Sequence, residues 1–222
     1  MSYCVVIPAF NEVKRIGDVV DSVKGIGHDC IVIDDGSSDN TGAVAAKHGA
    51  LLLANAKNQG KGASLRKAFD FILKTTKYDG VIIIDGDGQH NVGDIEKFLQ
   101  CAENEEVGMV VGNRMTHTKD MPFIRVATNN FMSGLLSLAC RQKMPDTQCG
   151  FRCIKRSVLE AVELTTSNYE MESEILIKAS RKGFKIVSVP IETIYSDEKS
   201  KIRPGKDTIR FFKMFFRLML SR

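Results

Sequence analysis

The stretch Ile82-Ile83-Ile84-Asp85-Gly86-Asp87-Gly88-Gln89-His90 decides how this chain folds. Counting Val81, four apolar β-formers run straight into two carboxylates separated by one glycine. The pattern predicts a buried strand that ends at a loop, with Asp85 and Asp87 on one face, because side chains two apart in extended chain point the same way. Like charges that close repel, so the pair is costly unless something positive sits nearby. A divalent cation carrying a diphosphate answers that need: Mg²⁺ and Mn²⁺ take hard oxygen ligands and share substrate phosphates. The competing reading is a plain acidic turn, solvated or capping the next helix, and D-x-D alone does not choose between them.

Outward from this stretch, strand-like runs alternate with helical ones. Tyr3 to Ile7 is apolar and ends at Pro8, and Glu12 to Val23 follows with helical spacing through Ile16, Val19, Val20 and Val23. Ile31 to Ile33, Leu51 to Leu53, Val81 to Ile84 and Val107 to Val111 read as further strands. Thr41 to His48, Gly62 to Leu73 and the segment around Ile95 to Cys101 read as the helices between them. This rhythm of short, continuously apolar strands implies an α/β fold with a mainly parallel central sheet and helices on both faces. In such sheets the ligand site lies beyond the carboxyl ends of the strands. Three strands end there in polar loops, Pro8-Ala9-Phe10-Asn11-Glu12, Asp34 to Asp39 and Asp85 to Gln89, so topology alone brings the three together.

The second half is less regular. Phe123 to Cys140 and Tyr169 to Lys182 read as helices, Lys185 to Ile194 as one or two strands broken at Pro190, and Asp207 to Leu220 as a terminal amphipathic helix. No internal repeat or flexible linker appears, which gives one domain over residues 1–204 and a basic amphipathic C-terminal helix over 205–222. Asn58-Gln59-Gly60-Lys61-Gly62 is not a phosphate loop, since G-x-x-x-x-G-K-[ST] is absent, and is read as a turn and helix entry. The first strand does not lead into G-x-G-x-x-G, which excludes a Rossmann dinucleotide site.

Composition suits a soluble globular enzyme: 222 residues, 43% hydrophobic and 26% charged. Its six cysteines form no C-x-x-C pair, and reduced core thiols in a cytoplasmic protein are expected rather than a disulfide framework or zinc site. No secretory signal opens the chain, and no uncharged run reaches the ~20 residues of a membrane span. Net charge is +4, but eight of the basic residues, against the single acid Asp207, lie between Lys199 and Arg222. Any anionic partner should meet the chain there.

Together, IPAFNE at the amino end, DDGSSD after the second strand and DGDGQH after the fourth resemble a family 2 glycosyltransferase of the GT-A fold, a Rossmann-like nucleotide-diphospho-sugar transferase. The later DTQCGFR and EKSKIRP narrow the likeness to the polyprenol-phosphate (dolichol-phosphate) mannosyltransferase-like branch. Position by position, the resemblance implies that Pro8, Phe10, Glu12, Ile33 and Asp35 contact the nucleotide and that Asp85 and Gly86 bound the nucleotide sugar. It further implies that Asp87 and Gln89 ligate Mg²⁺ or Mn²⁺, and that Arg114 reaches the donor phosphates or sugar. Asp87, Arg114 and Asp146 are then the catalytic candidates, with inverting displacement at the anomeric carbon as the reaction. The chain departs from the branch at Tyr195-Ser196-Asp197-Glu198, where an arginine is common, and at Cys149, where serine is more frequent; mannose as donor sugar is correspondingly doubtful.

The acceptor decides whether a protein base is needed. A saccharide hydroxyl must lose a proton as it attacks, which would fall to a carboxylate such as Asp146. A polyprenyl phosphate is already ionised near pH 7 and needs positive charge instead, which Arg152, Lys199, Lys201 and Arg203, with Ser200 among them, would supply. A third reading is a nucleotide-sugar-binding module without turnover. The terminal helix, and Phe123 to Cys140, either cover the domain's own core or a partner subunit, or make peripheral membrane contact or meet a membrane-protein partner. No nucleic-acid partner is expected, and the chain is placed in the cytoplasm, at the inner face of the cytoplasmic membrane where it meets lipid.

Overall fold

A computed structural model describes residues 1–116, 118, 121–192, 194 and 204–221. Seven strands form one sheet: β1 (Tyr3–Ala9), β2 (Asp29–Asp34), β3 (Leu51–Ala54), β4 (Gly80–Ile83), β5 (Val107–Asn113), β6 (Arg152–Lys155) and β7 (Lys185–Pro190). Among the described residues, eight α-helices connect or flank them: α1 (Ile16–Gly25), α2 (Thr41–Lys47), α3 (Lys61–Thr75), α4 (Ile95–Ala102), α5 (Phe123–Cys140), α6 (Arg156–Ala161), α7 (Met171–Arg181) and α8 (Pro204–Leu220). The strand order is β3-β2-β1-β4-β6-β5-β7, parallel throughout except for β6, which runs antiparallel to both neighbours. In β1, β4 and β5 nearly every residue is buried, so both pleat directions are covered and the sheet is sandwiched between helices.

The expected strands and helices are present, most with ends moved by a residue or two. Two differences matter for the site. Helix α1 begins at Ile16 rather than Glu12, because the Glu12 carbonyl accepts from the amides of Arg15 and Ile16 and closes a turn first. Residues 152–161, which carried no predicted element, form β6 and α6. A four-residue strand that opens on an arginine gives no period to read, yet it fills the gap between β4 and β5.

Strand ends are tied to one another directly. Asp35 N donates to Ala9 O (2.8 Å) and Asn55 N to Asp34 O (2.9 Å), and Ile84 N continues the β1 ladder onto Val6 O (3.2 Å). The carboxyl ends of β1, β2 and β4 therefore share one edge. On the far side of the sequence, α5 and α8 both pack on α7, and the inner face of α8 (Phe211, Met214, Phe215, Leu218) belongs to the common core. No helix among the described residues is long and apolar enough to cross a membrane.

Candidate active site

The loop after β2 is built around Asp35. Its Oδ1 accepts from Asn55 Nδ2 and Gln59 N (both 2.9 Å), and its Oδ2 accepts from Gly60 N (2.8 Å). Gly60 adopts φ +96°, a left-handed-side conformation that suits glycine, and it caps α3. Asp35 thus holds the turn that launches Lys61. The loop after β1 interlocks with the same region: Asn11 N donates to Ser37 Oγ (2.9 Å), Ser38 N to Asn11 Oδ1 (2.9 Å) and Glu12 N to Thr41 Oγ1 (2.8 Å). Glu12 and Asp35 are buried, while Pro8 and Phe10 are half-buried.

Lys61 then crosses to the D-G-D loop. Its Nζ lies 2.6 Å from Asp85 Oδ1 and 2.7 Å from Glu172 Oε1 at the start of α7, with the Tyr169 ring 5.9 Å away. His90 Nε2 stands 3.4 Å from the other Asp85 oxygen. Burial pushes the Asp85 carboxyl up, but Lys61 and His90 outweigh it and hold the group well below the usual carboxylate range. Burial likewise disfavours the Lys61 ammonium, and Asp85 with Glu172 raise it above the usual lysine range. Asp87 behaves oppositely. Burial and the neighbouring Asp85 charge raise its pKa, and among the described residues no lysine or arginine pairs with it. Its Oδ1 accepts from Gln89 N (3.0 Å), which folds Gln89 back beside it. A Cβ on Gly86 would meet Ile7, Ala9 and Ile16 at 3.4 to 3.5 Å.

The DTQCGFR segment closes the site from above. A Cβ on Gly150 would fall closer than 3.0 Å to Asp85 Oδ2, so the segment rests directly on the Lys61–Asp85 pair. Arg114, just past β5, is clamped by Asp146: Nε to Oδ2 at 2.8 Å and Nη2 to Oδ1 at 3.0 Å. Asn129 Nδ2 (2.7 Å), Gln148 N (3.2 Å) and Arg114 N (3.1 Å) also donate to that carboxylate.

Three of the candidate residues are buried. Asp146 is fully buried, saturated by five donors and held below the usual carboxylate range by Arg114 against the upward push of burial. Its two oxygens hold the Arg114 guanidinium at a fixed orientation. Arg152, expected at the acceptor phosphate, is 1% exposed and spends its guanidinium on the carbonyls of Cys149, Thr147 and Glu172. It braces the DTQCGFR turn. Ile33 is fully buried in β2 opposite Pro8 and belongs to the core. Lys199, Ser200 and Lys201 lie outside the described residues. Cys149 is inert as a nucleophile: burial raises its thiol to about 12.

Lys61, Glu172 and Tyr169 were missed. The available signal was Lys61 itself, a cation in the first turn of a helix where the dipole disfavours it. Such a placement asks for acidic partners elsewhere.

A mainly parallel sheet whose strand ends gather acidic groups, with one arginine clamped above them, defines a nucleotide-sugar transferase type of architecture. The fold is shared with glucosyl-3-phosphoglycerate synthase from Mycobacterium tuberculosis, solved with Mn²⁺, UDP-glucose and phosphoglyceric acid (TM-score 0.78, 21% identity, 97% of this chain and 79% of that one). The family model described as glycosyl transferase family 2 matches residues 4–163. The chain belongs to that family, and it is a glycosyltransferase. It is 31% identical, over 98% of its length and 94% of the relative, to UDP-N-acetylglucosamine–dolichyl-phosphate N-acetylglucosaminyltransferase of Methanococcus voltae. It is 26% identical, over 99% of its length and 64% of the relative, to dolichol-phosphate mannosyltransferase of Pyrococcus furiosus. These likenesses put it in the polyprenol-phosphate glycosyltransferase branch.

Proposed function

We propose that this enzyme transfers a sugar from a nucleoside-diphosphate donor to a polyprenyl-phosphate acceptor, assisted by Mg²⁺ or Mn²⁺ held at Asp87 and Gln89. The observation that carries the reading is the asymmetry of the D-G-D pair. Lys61 pairs with Asp85, whereas the half-buried Asp87 carboxylate, at the edge shared by β1, β2 and β4, has no lysine or arginine ion pair among the described residues. A carboxylate so placed suits a divalent ion. No cluster of three His, Cys, Asp or Glu side chains forms a full cage among the described residues, which agrees with an ion that takes its remaining ligands from a diphosphate. Such an ion supplies charge neutralisation for the departing diphosphate.

The chain's own residues do the rest. Asp35 and Glu12, with Pro8 and Phe10 beside them, receive the nucleoside, and Asp85 meets the donor sugar with Gly86 backbone alongside it. Arg114 has Nε and Nη2 committed to Asp146, so its remaining edge, Nη1, faces a phosphate at fixed orientation. An acceptor phosphate oxygen forms the new bond at the anomeric carbon as the bond to the diphosphate oxygen breaks, and the nucleoside diphosphate leaves with that electron pair. No proton has to move, which fits a site where Asp146 is unavailable as a base.

The lipid-phosphate acceptor and the donor are tested together. Purified protein would be offered UDP- and GDP-sugars with dolichyl phosphate or with free saccharides, each with Mn²⁺ or with EDTA. Nucleoside diphosphate release that requires both the metal and the lipid phosphate is expected. Release driven equally by saccharides, or unaffected by EDTA, overturns the proposal.

A further inference from the structure

The two carboxylates of the D-G-D loop are not equally open. Both oxygens of Asp85 are engaged: Oδ1 accepts from Lys61 Nζ at 2.6 Å, and Oδ2 faces His90 Nε2 at 3.4 Å beneath the Gly150 backbone. Asp87 has no such cover. Its Oδ1 accepts from Gln89 N, and among the described residues no lysine or arginine ion pair reaches it. Lys61 is itself fixed in place. Its second carboxylate, Glu172 Oε1 at 2.7 Å, stands on α7, and only 13% of the Lys61 side chain is exposed. A Cβ on Gly150 would come to 3.0 Å from Nζ, so the ammonium is closed in on that side too. A lysine with one acidic partner could swing away from an arriving cation, but this one would abandon two.

We propose that Lys61 withholds Asp85 from the divalent ion, so that of the D-G-D pair only Asp87 is offered and the ion binds tightly only when a diphosphate supplies further oxygens. The proposal rests on the metal reading above and names the residue that makes metal binding depend on the donor. Two effects act in the same direction. The ammonium occupies the Asp85 oxygen that a hard cation would otherwise take, and the affinity of an oxygen site follows its count of charged ligands. It also sets a positive charge beside the site, where partial burial weakens screening. Lys61 is near enough to Asp87 to oppose the rise that burial and Asp85 impose on that carboxyl, and the same field opposes a second cation. Without the ammonium, two carboxylates one residue apart would form a standing cation site. By linkage, an ion held loosely alone and firmly with a diphosphate tightens the diphosphate by the same factor. An ion pair with a purely structural role has the opposite sign: its loss would loosen the loop and weaken metal binding.

The test titrates full-length protein with Mn²⁺ by calorimetry, with no donor present, as wild type, Lys61→Met and Lys61→Met/Asp85→Asn. Wild type should bind weakly, and Lys61→Met about tenfold or more tightly, since a second carboxylate joins the site. The double variant keeps the net charge of wild type but lacks the Asp85 carboxylate, so it should return to within about twofold of wild type. Should Lys61→Met not fold, Lys61→Met/Glu172→Gln takes its place, with and without Asp85→Asn, because it leaves no carboxylate on α7 without its cation. Presaturation with UDP or GDP should tighten Mn²⁺ binding in wild type, and should do so less in Lys61→Met. A Lys61→Met protein that binds Mn²⁺ no more tightly than wild type overturns the proposal, as does a gain that survives Asp85→Asn. Wild type that binds no Mn²⁺ even with a diphosphate present is a separate outcome: it refutes the metal reading above, and this proposal with it.

Discussion

Gly150 and Asp85 lie 65 positions apart in sequence, yet the glycine backbone lies directly on the Asp85 carboxylate. A methyl group at position 150 would come within 3.0 Å of Asp85 Oδ2 and meet Lys61 Nζ at 3.0 Å. Asp85 cannot simply swing aside, because Lys61 holds its other oxygen at 2.6 Å. Gly150→Ala should leave the fold intact and lower kcat/KM by roughly tenfold or more, through a displaced Asp85. Steady-state kinetics beside a thermal melt checks this; unchanged kinetics would mean the loop yields freely.

Lys61 is the charge that lets Asp85 and Glu172 share a half-buried corner. Lys61→Met should destabilise the protein by about 3 kcal/mol, since removing one partner of a buried ion pair leaves the others uncompensated. The same substitution should raise KM for the donor, because Asp85 loses its fixed position. Denaturant melts and donor titrations measure the two effects separately.

Asp87 is placed at a cost. Its carboxylate is pushed up by burial and by Asp85, so the folded state tolerates its charge poorly. Asp87→Asn keeps the hydrogen bond from Gln89 N and removes the repulsion. EDTA-treated Asp87→Asn should melt slightly higher than EDTA-treated wild type, by roughly 2 °C. It should also lose Mn²⁺ binding by calorimetry. A variant that melts lower, or still binds Mn²⁺ normally, contradicts the assignment.

Asp146 separates a positioning role from an acid–base role. Asp146→Asn leaves the Arg114 guanidinium with a neutral partner and should cost about 3 kcal/mol in stability. Turnover should fall, but the pH–rate profile of what remains should keep the wild-type shape. Loss of the acidic limb from that profile, where a base becomes protonated, would restore Asp146 as a proton acceptor.

Glu174, at the first turn of α7, accepts from the amides and hydroxyls of both Thr165 and Thr166, and from Lys178 Nζ at 2.8 Å. Burial pushes its carboxyl up, but Lys178 and the two threonines bring it down from 4.5 to about 2. A depressed folded pKa adds stability above the unfolded value and loses it as pH falls through the folded one. The contribution, about 2 kcal/mol after allowance for screening, should be complete above pH 4.5 and gone near pH 2. Glu174→Gln should accordingly be less stable than wild type at neutral pH, and the gap should close as both are acidified.

Much of this architecture was legible before any coordinates. The apolar runs of β1, β2 and β4 each end at a polar loop, and parallel topology alone puts those ends together. Helix α5 has the bounds its apolar spacing implies, Phe123 to Cys140. What escaped was set by contacts between distant segments. Strand β6 is too short to show alternation and takes its place from β4 and β5, the nearer of which ends 39 positions before it. Lys61 looked like part of a failed phosphate loop because its partners, Asp85 and Glu172, lie in other elements. Asp146 looked reactive because an aspartate in a polar motif resembles a base, and only its five donors show it to be spent.

The antiparallel β6 imposes an order of completion on the growing polypeptide. Strand β5 is synthesised before β6 but lies beyond it in the sheet, so in a nascent chain that ends before Arg152 strand β4 has one unpaired edge and β5 has neither of its sheet neighbours. Such backbone edges are open to pairing with another chain. Glu172 arrives after β6, so a ribosome that stalls halfway releases a product that lacks one anchor of Lys61 and is prone to sticking.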